Sequence, residues 1–179
     1  MNLFSYWASN ALYDIVKALI PCAIGIGLIE AFNVDIELAW VFFLILPFAL
    51  IPYTYVTSFM FKTESGAQNF TSNHTFFFAG LGAIAAYILY IIESTRDASI
   101  IVSWVLRIFP VFCLTRGMIF ISSTGIITIF AELDEEPGAL HADVALYDFI
   151  FLIAHSVIWW FVIILIENCN CGRGTRKSD

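Results

Sequence analysis

The chain has 179 residues, of which 60% are hydrophobic and 13% charged, with a net charge of −7 and a mean hydropathy of +0.87. These values exclude a water-soluble domain, whose interior could not hide so many helices that are apolar all round. They also exclude nucleic acid as a partner, because phosphate binding needs a basic surface.

Four long apolar stretches run along the chain, with a broken fifth between the third and the fourth. Three segments, Leu38 to Phe61, Ser65 to Ile92 and Phe149 to Ile166, contain no Asp, Glu, Lys or Arg. Each is long enough, or nearly so, for a helix to cross roughly 30 Å of hydrocarbon at about 1.5 Å per residue. The first stretch, Leu12 to Phe32, is weaker because it holds Asp14 and Lys17. These two are neighbours on one helix face and are expected to pair there, with Lys17 snorkelling toward the headgroups. This reading is a span whose first turns sit at the interface; a purely interfacial helix is the alternative. No cleavable signal peptide is evident, since no basic residue precedes the apolar part.

Glu30 to Glu37 is an acidic loop without Lys or Arg. The second stretch carries Pro47 and Pro52, each of which removes a helical hydrogen bond and should kink it. After a loop from Lys62 to Asn69, the third stretch contains the small residues Ala79 to Ala86, which let helices approach closely in lipid. Gly25-Ile26-Gly27 and Gly80-Leu81-Gly82 lack the strand and the further glycine of a nucleotide loop.

Glu93 to Asp97 is a polar break. Ile100 to Ala131 is apolar but interrupted by Arg107, Pro110 and Arg116-Gly117. A straight span would place an arginine deep in hydrocarbon, at about 2.5–3.5 kcal/mol each. A re-entrant helical hairpin turning near Phe109-Pro110 avoids this, and backbone at that depth is tolerated where protein buries it. The arginines are then expected near the interface, or paired with Glu93, Asp97 or the acids of residues 132–136. The loop Glu132 to Glu136 is read as solvated, its ligands too poorly spaced for calcium. The last span runs from about Ala145 to Ile166, and residues 168–179 form a short basic tail with Arg173, Arg176 and Lys177.

The basic residues set the orientation. Lys62 and the tail lie inside and both acidic loops outside on an in-out-in-out-in path, although Arg96, Arg107 and Arg116 then lie on the outer side. The glycosylation sequons at Asn69 and Asn73 would stay unmodified. Cys22 and Cys113 are expected as packing residues. Cys169 and Cys171 are too closely spaced for structural zinc, with palmitoylation as an alternative role. His155 and Ser156 diverge by about 100° on a helix and cannot form a nucleophile–base pair. A helix–helix hydrogen bond from His155 is favoured over a polar path. No catalytic, cofactor or metal constellation is present in the sequence.

Three segments in order carry a family resemblance: Tyr6 to Asp14 with the Pro21-Cys22 step; Pro52 to Phe61; and Phe109 to Gly117. Together they resemble the membrane domain of A-subfamily ATP-binding-cassette transporters, the lipid exporters of the type-2 exporter fold, over residues 5–167. The resemblance implies an all-α polytopic membrane protein whose four transmembrane helices plus a re-entrant hairpin correspond to helices three to six of one transporter half, within a partial domain at residues 1–167. It implies that Tyr6, Trp7, Asn10 and Asp14 couple to an ATPase, and that Phe109, Pro110, Cys113, Arg116 and Gly117 form the hairpin turn. Its partners would be membrane lipid, a nucleotide-binding domain and a second transporter half. Val111 stands where the family often has histidine. The family's first two helices, outer domain and nucleotide-binding domain have no counterpart in the sequence, so ATP would act through a missing or separate unit. The expected function is the membrane part of a transporter for lipid or another apolar substrate. The alternative is a non-transporting membrane protein, or a truncated remnant with a structural or regulatory role.

Overall fold

The computed structural model describes residues 3–34, 36, 38–131 and 137–174. Among these, every regular element is helical: α1 (Leu3–Ala31), α2 (Ala39–Ser58), α3 (Glu64–His74), a π-helical turn (Thr75–Leu81), α4 (Gly82–Ile91), a 3-10 turn (Glu93–Thr95), α5 (Arg96–Leu106), α6 (Pro110–Ser122), α7 (Thr124–Ala131) and α8 (Leu146–Gly174). Four helical segments are long and apolar enough to cross a membrane: Trp7–Ala31, Ala39–Ser58, Glu64–Ile91 and Leu146–Asn168.

The first span differs from expectation. Its helix starts at Leu3, well before Leu12. Asp14 does not pair with Lys17; its carboxylate accepts a hydrogen bond from the Tyr55 hydroxyl on α2. Lys17 instead sits over the Tyr13 ring, 4.4 Å from its centroid. Packing against α2 therefore gives the acid a partner on another helix. The loop after Lys62 is also shorter than expected. Thr63 Oγ1 accepts from the Gly66 amide at 3.2 Å and caps α3 at Glu64, satisfying one of the orphan donors of the first turn.

Ring and side-chain contacts give the helix directions. Gly25 of α1 lies against Phe43 near the start of α2, and Trp7 near the start of α1 meets Tyr55 and Phe59 near the end of α2. These two helices are antiparallel. On α8, Phe149 packs on Phe42 and Trp159 on Tyr53, so α2 and α8 run in the same direction. Hence the start of α1 and the far parts of α2 and α8 share one end of the bundle. The connections after α1 and α4, and residues 137–145 before α8, lie at the other.

The segment between α4 and α8 enters and leaves by that second end. Going in, Arg96 Nε donates to the Tyr90 carbonyl at 3.3 Å and Ser99 Oγ to the Ala86 carbonyl at 2.6 Å. Leu106 lies beside Gly82. At the turn, Phe109 packs on Phe78 at 4.8 Å and on His74 at 4.3 Å. Coming out, Phe120 meets Tyr87 at 5.6 Å and Tyr90 again at 5.1 Å. From Tyr90 to Phe78 the helix rises about 18 Å, more than half the thickness of a roughly 30 Å core. A single straight span over Ile100–Ala131 is ruled out by these contacts. A second break falls at Ser123, between α6 and α7.

The small residues of the third span face this hairpin. Ala79, Ala83 and Ala86 are buried, one turn apart on one face. A Cβ at Gly82 would come within 3.0 Å of Leu106. The other core cluster gathers Phe42, Ala49, Cys113, Phe120, Val144 and Leu152 between α2, α6 and α8. Gly117 sits at its tightest point, where an added Cβ would lie 2.9 Å from the fully buried Phe42 ring.

Two outcomes test this architecture. With Cys169 and Cys171 replaced by serine, a membrane-impermeant maleimide applied to intact cells should label Ser94→Cys and leave Ser65→Cys untouched; the reverse pattern inverts the orientation, and equal labelling removes the crossing between them. Gly117→Ala should lower stability by about 1–3 kcal/mol through overpacking, read as a drop in the thermal midpoint of detergent-purified protein, while Gly27→Ala, with open space around it, should not.

Candidate functional site

The hairpin is held by one acid that the sequence reading did not single out. Asp148 lies in the first turn of α8 and is fully buried. Its Oδ1 accepts from Arg107 Nε at 2.8 Å, and its Oδ2 accepts from Arg116 Nη1. Arg116 also donates through Nη1 to the Val144 carbonyl at 3.0 Å and through Nε to Ser103 Oγ at 3.1 Å. Its guanidinium carbon rests 3.8 Å from the Phe120 ring centroid. Arg107 is flanked by Trp104 and Tyr147, at 5.0 Å and 5.5 Å. The arginine side chains are only 4% and 5% exposed.

This corrects the expected partners. Neither arginine reaches the expected Glu93 or Asp97; both are turned inward and joined to α8. The acids at 132–136 fall outside the described residues. The physical reason is desolvation: a guanidinium kept dry by its neighbours needs a carboxylate equally close and equally dry. Asp148 meets that condition, and the positive end of the α8 dipole favours its charge.

The expected hairpin residues occupy distinct places. Arg107 to Phe109 form the turn itself, and Pro110 opens α6, where its missing N–H costs nothing. Cys113 is buried, with Sγ directed to the Arg107 carbonyl at 3.3 Å. Arg116 lies in the ion cluster, and Gly117 lets α6 approach Phe42. Val111 is half-buried in the first turn of α6. Beneath the turn, His74 is enclosed by the rings of Tyr53, Phe70, Phe78 and Phe109, with Nε2 3.1 Å from the Tyr53 hydroxyl.

His155, expected to make a helix–helix hydrogen bond, has no partner at Nδ1. Its ring lies between Phe151 and Trp159, both on its own helix. Cys22 is buried, as expected of a packing residue.

At the opposite end of the bundle, Tyr55 joins three helices. It donates to Asp14 on α1 and packs against Trp7 at 5.3 Å and Trp160 of α8 at 6.4 Å. Asn10 is half-buried on the same part of α1, and Tyr6 belongs to that helix. Among the described residues no three His, Cys, Asp or Glu side chains converge to hold a metal.

The comparisons with known proteins follow the same outline. The family described as ABC-2 family transporter protein matches residues 1–165. The chain belongs to that family. It is an integral, multi-pass membrane protein. Over 176 residues it is 24% identical to the human (Homo sapiens) retinal-specific phospholipid-transporting ATPase ABCA4, covering 91% of this chain and 8% of that protein. Over 123 residues it is 28% identical to the human (Homo sapiens) phospholipid-transporting ATPase ABCA7, covering 64% and 6%. ATP-binding cassette sub-family A member 2 of Rattus norvegicus is 20% identical over 180 residues, covering 93% and 7%. This ABC-2 chain thus spans less than a tenth of the length of these relatives.

Asp148→Asn should be the most damaging single substitution in the hairpin. It leaves two buried guanidiniums without a charge partner, at about 3–5 kcal/mol, and should abolish the monodisperse peak in size-exclusion chromatography of detergent extracts. Survival of that peak with an unchanged thermal midpoint would show that the cluster is not what fixes the hairpin.

Proposed function

We propose that this chain is the membrane-embedded part of an ATP-driven transporter that moves lipid. The observation that carries the reading is the hairpin: an element folded back along about 18 Å of the third span and locked to α8 by Asp148, within a family of ABC-2 transporters. Two of the relatives are named as phospholipid-transporting ATPases, which supports lipid as the substrate. The ATP-binding unit would be a separate domain, and the cluster around Tyr55 would receive its motion. Trp7, Asn10 and Asp14 stand on α1 at that end, and Tyr55 links α1 to α2 and α8. Positive-inside orientation puts the same end, with Lys62, on the cytosolic side.

A second transporter half would cover part of the exposed face of α1. Leu12, Val16, Ile20, Ile24 and Leu28 repeat every fourth residue on this face and are each more than half exposed. Lipid would cover the remainder. Domain boundaries at residue 167 and a basic cytosolic tail over 168–179 complete the proposal.

Proteoliposomes containing the transporter with its ATP-binding unit should move a fluorescent phospholipid between leaflets only with ATP. Tyr55→Phe should lower that rate severalfold while leaving ATP hydrolysis largely in place, because it removes the Asp14 link and retains the ring. The 179-residue chain alone should turn over no ATP above a detergent blank, since its sequence holds no phosphate-cradling loop. Turnover by the chain alone, or ATP-independent movement at the full rate, would overturn the proposal.

A further inference from the structure

The ion cluster is unbalanced. Two guanidiniums face one carboxylate, which leaves an excess positive charge among groups that are nearly all buried. Arg107 commits only Nε to Asp148, although a guanidinium has five N–H donors. Beside it lies a cavity of about 60 Å³ lined by Arg107, Arg116, Tyr90, Trp104, Tyr147 and Asp143. Asp143 is exposed, its side chain 54% accessible, with His141 Nδ1 3.6 Å from its carboxylate, and Trp104 and Tyr147 share this open side. Arg96, the other cation near Tyr90, donates to the Tyr90 carbonyl.

We propose that this cavity at the mouth of the hairpin binds the phosphodiester of a zwitterionic phospholipid headgroup. The charge pattern has the right order. Excess positive charge lies inside, where Arg107 offers a planar fork suited to phosphate oxygens. A carboxylate lies at the exposed side, where it meets the headgroup's ammonium. The rings of Tyr90, Trp104 and Tyr147 provide faces for the same cation. The cavity is large enough for the phosphate and too small for acyl chains, which would remain in lipid. Asp148 stands in the first turn of its span, which places the cluster near the membrane surface, where headgroups reside. This inference rests on the lipid-moving reading above.

The test uses the delipidated 179-residue chain in detergent, read by native mass spectrometry. Short-chain phosphatidylcholine and a diacylglycerol of the same acyl length are offered in equal amount, with inorganic phosphate in a third arm. Phosphatidylcholine should be retained at least about tenfold better than diacylglycerol, the scale of charge-assisted hydrogen bonds to phosphate. Arg107→Gln keeps the Arg116–Asp148 pair and a balanced charge, so it should fold and lose about tenfold in retention. Asp143→Asn should shift preference severalfold from phosphatidylcholine toward phosphatidylglycerol. Equal retention of the two lipids by the unsubstituted chain overturns the proposal, whether or not Arg107→Gln folds. Unchanged retention by a folded Arg107→Gln, or an unaltered headgroup preference in Asp143→Asn, overturns it too. Displacement of lipid by equimolar inorganic phosphate assigns the cavity to a soluble anion and overturns the lipid source. Binding requires no ATPase, so failed transport with intact headgroup discrimination counts against the transport reading alone.

Discussion

Asp148 divides its two oxygens between arginines that belong to different limbs of the hairpin. Arg107 lies just after α5 and Arg116 in the middle of α6, so one carboxylate fixes both limbs to the start of α8. The neighbouring geometry follows from keeping that carboxylate dry. Gly117 has no side chain because the Phe42 ring occupies the space, with Asp148 Cβ in ordinary contact beside it. Ser103 is small and polar because Arg116 needs a second acceptor. Val144 turns its carbonyl inward for the same reason. An ion cluster of this kind adds less net stability than an apolar core of equal volume. What it adds is a strong penalty for any arrangement in which one member is displaced.

The two ends of the bundle are built differently. At the hairpin mouth, charges are concentrated and shielded. At the other end, Tyr55 donates a hydrogen bond to Asp14 and packs on the Trp7 ring, both on α1, and on the Trp160 ring of α8. Ring contacts of this sort tolerate small changes in angle. The shielded charges fix one end of the bundle, and the ring contacts leave the other end room for small changes in angle.

Much of this architecture is legible in the sequence. Charge-free runs mark three of the spans because bilayer hydrocarbon leaves no other option for uncharged segments of that length. The hairpin is legible because Arg107 and Arg116 flank Pro110 in an otherwise apolar run. Asp148 is harder to see. It sits at the edge of the last apolar run, where an acid reads as the ordinary boundary of a span, and its partners are 41 and 32 residues away. One signal pointed to it: two arginines in a hairpin demand a dry acid, and Asp148 lies beside the charge-free run that begins at Phe149. The Asp14–Tyr55 link was hidden similarly, since Lys17 offers a nearer and more obvious partner. The partnerless Nδ1 of His155 has no sequence signature, because it depends on which neighbours happen to be apolar.

The π-helical turn Thr75–Leu81 lies at the level of the hairpin turn. A π turn holds more residues than an α turn, so the helical faces above and below it are rotated out of phase. Above it, the alanine face meets the hairpin; below it, His74 meets Tyr53. Wound as an ordinary α-helix with the same residues, the span would have one half turned by about 100° from its present setting relative to the other. The surplus residue therefore acts as a phase shifter, by which two faces that a uniform helix would hold apart are presented to the same side.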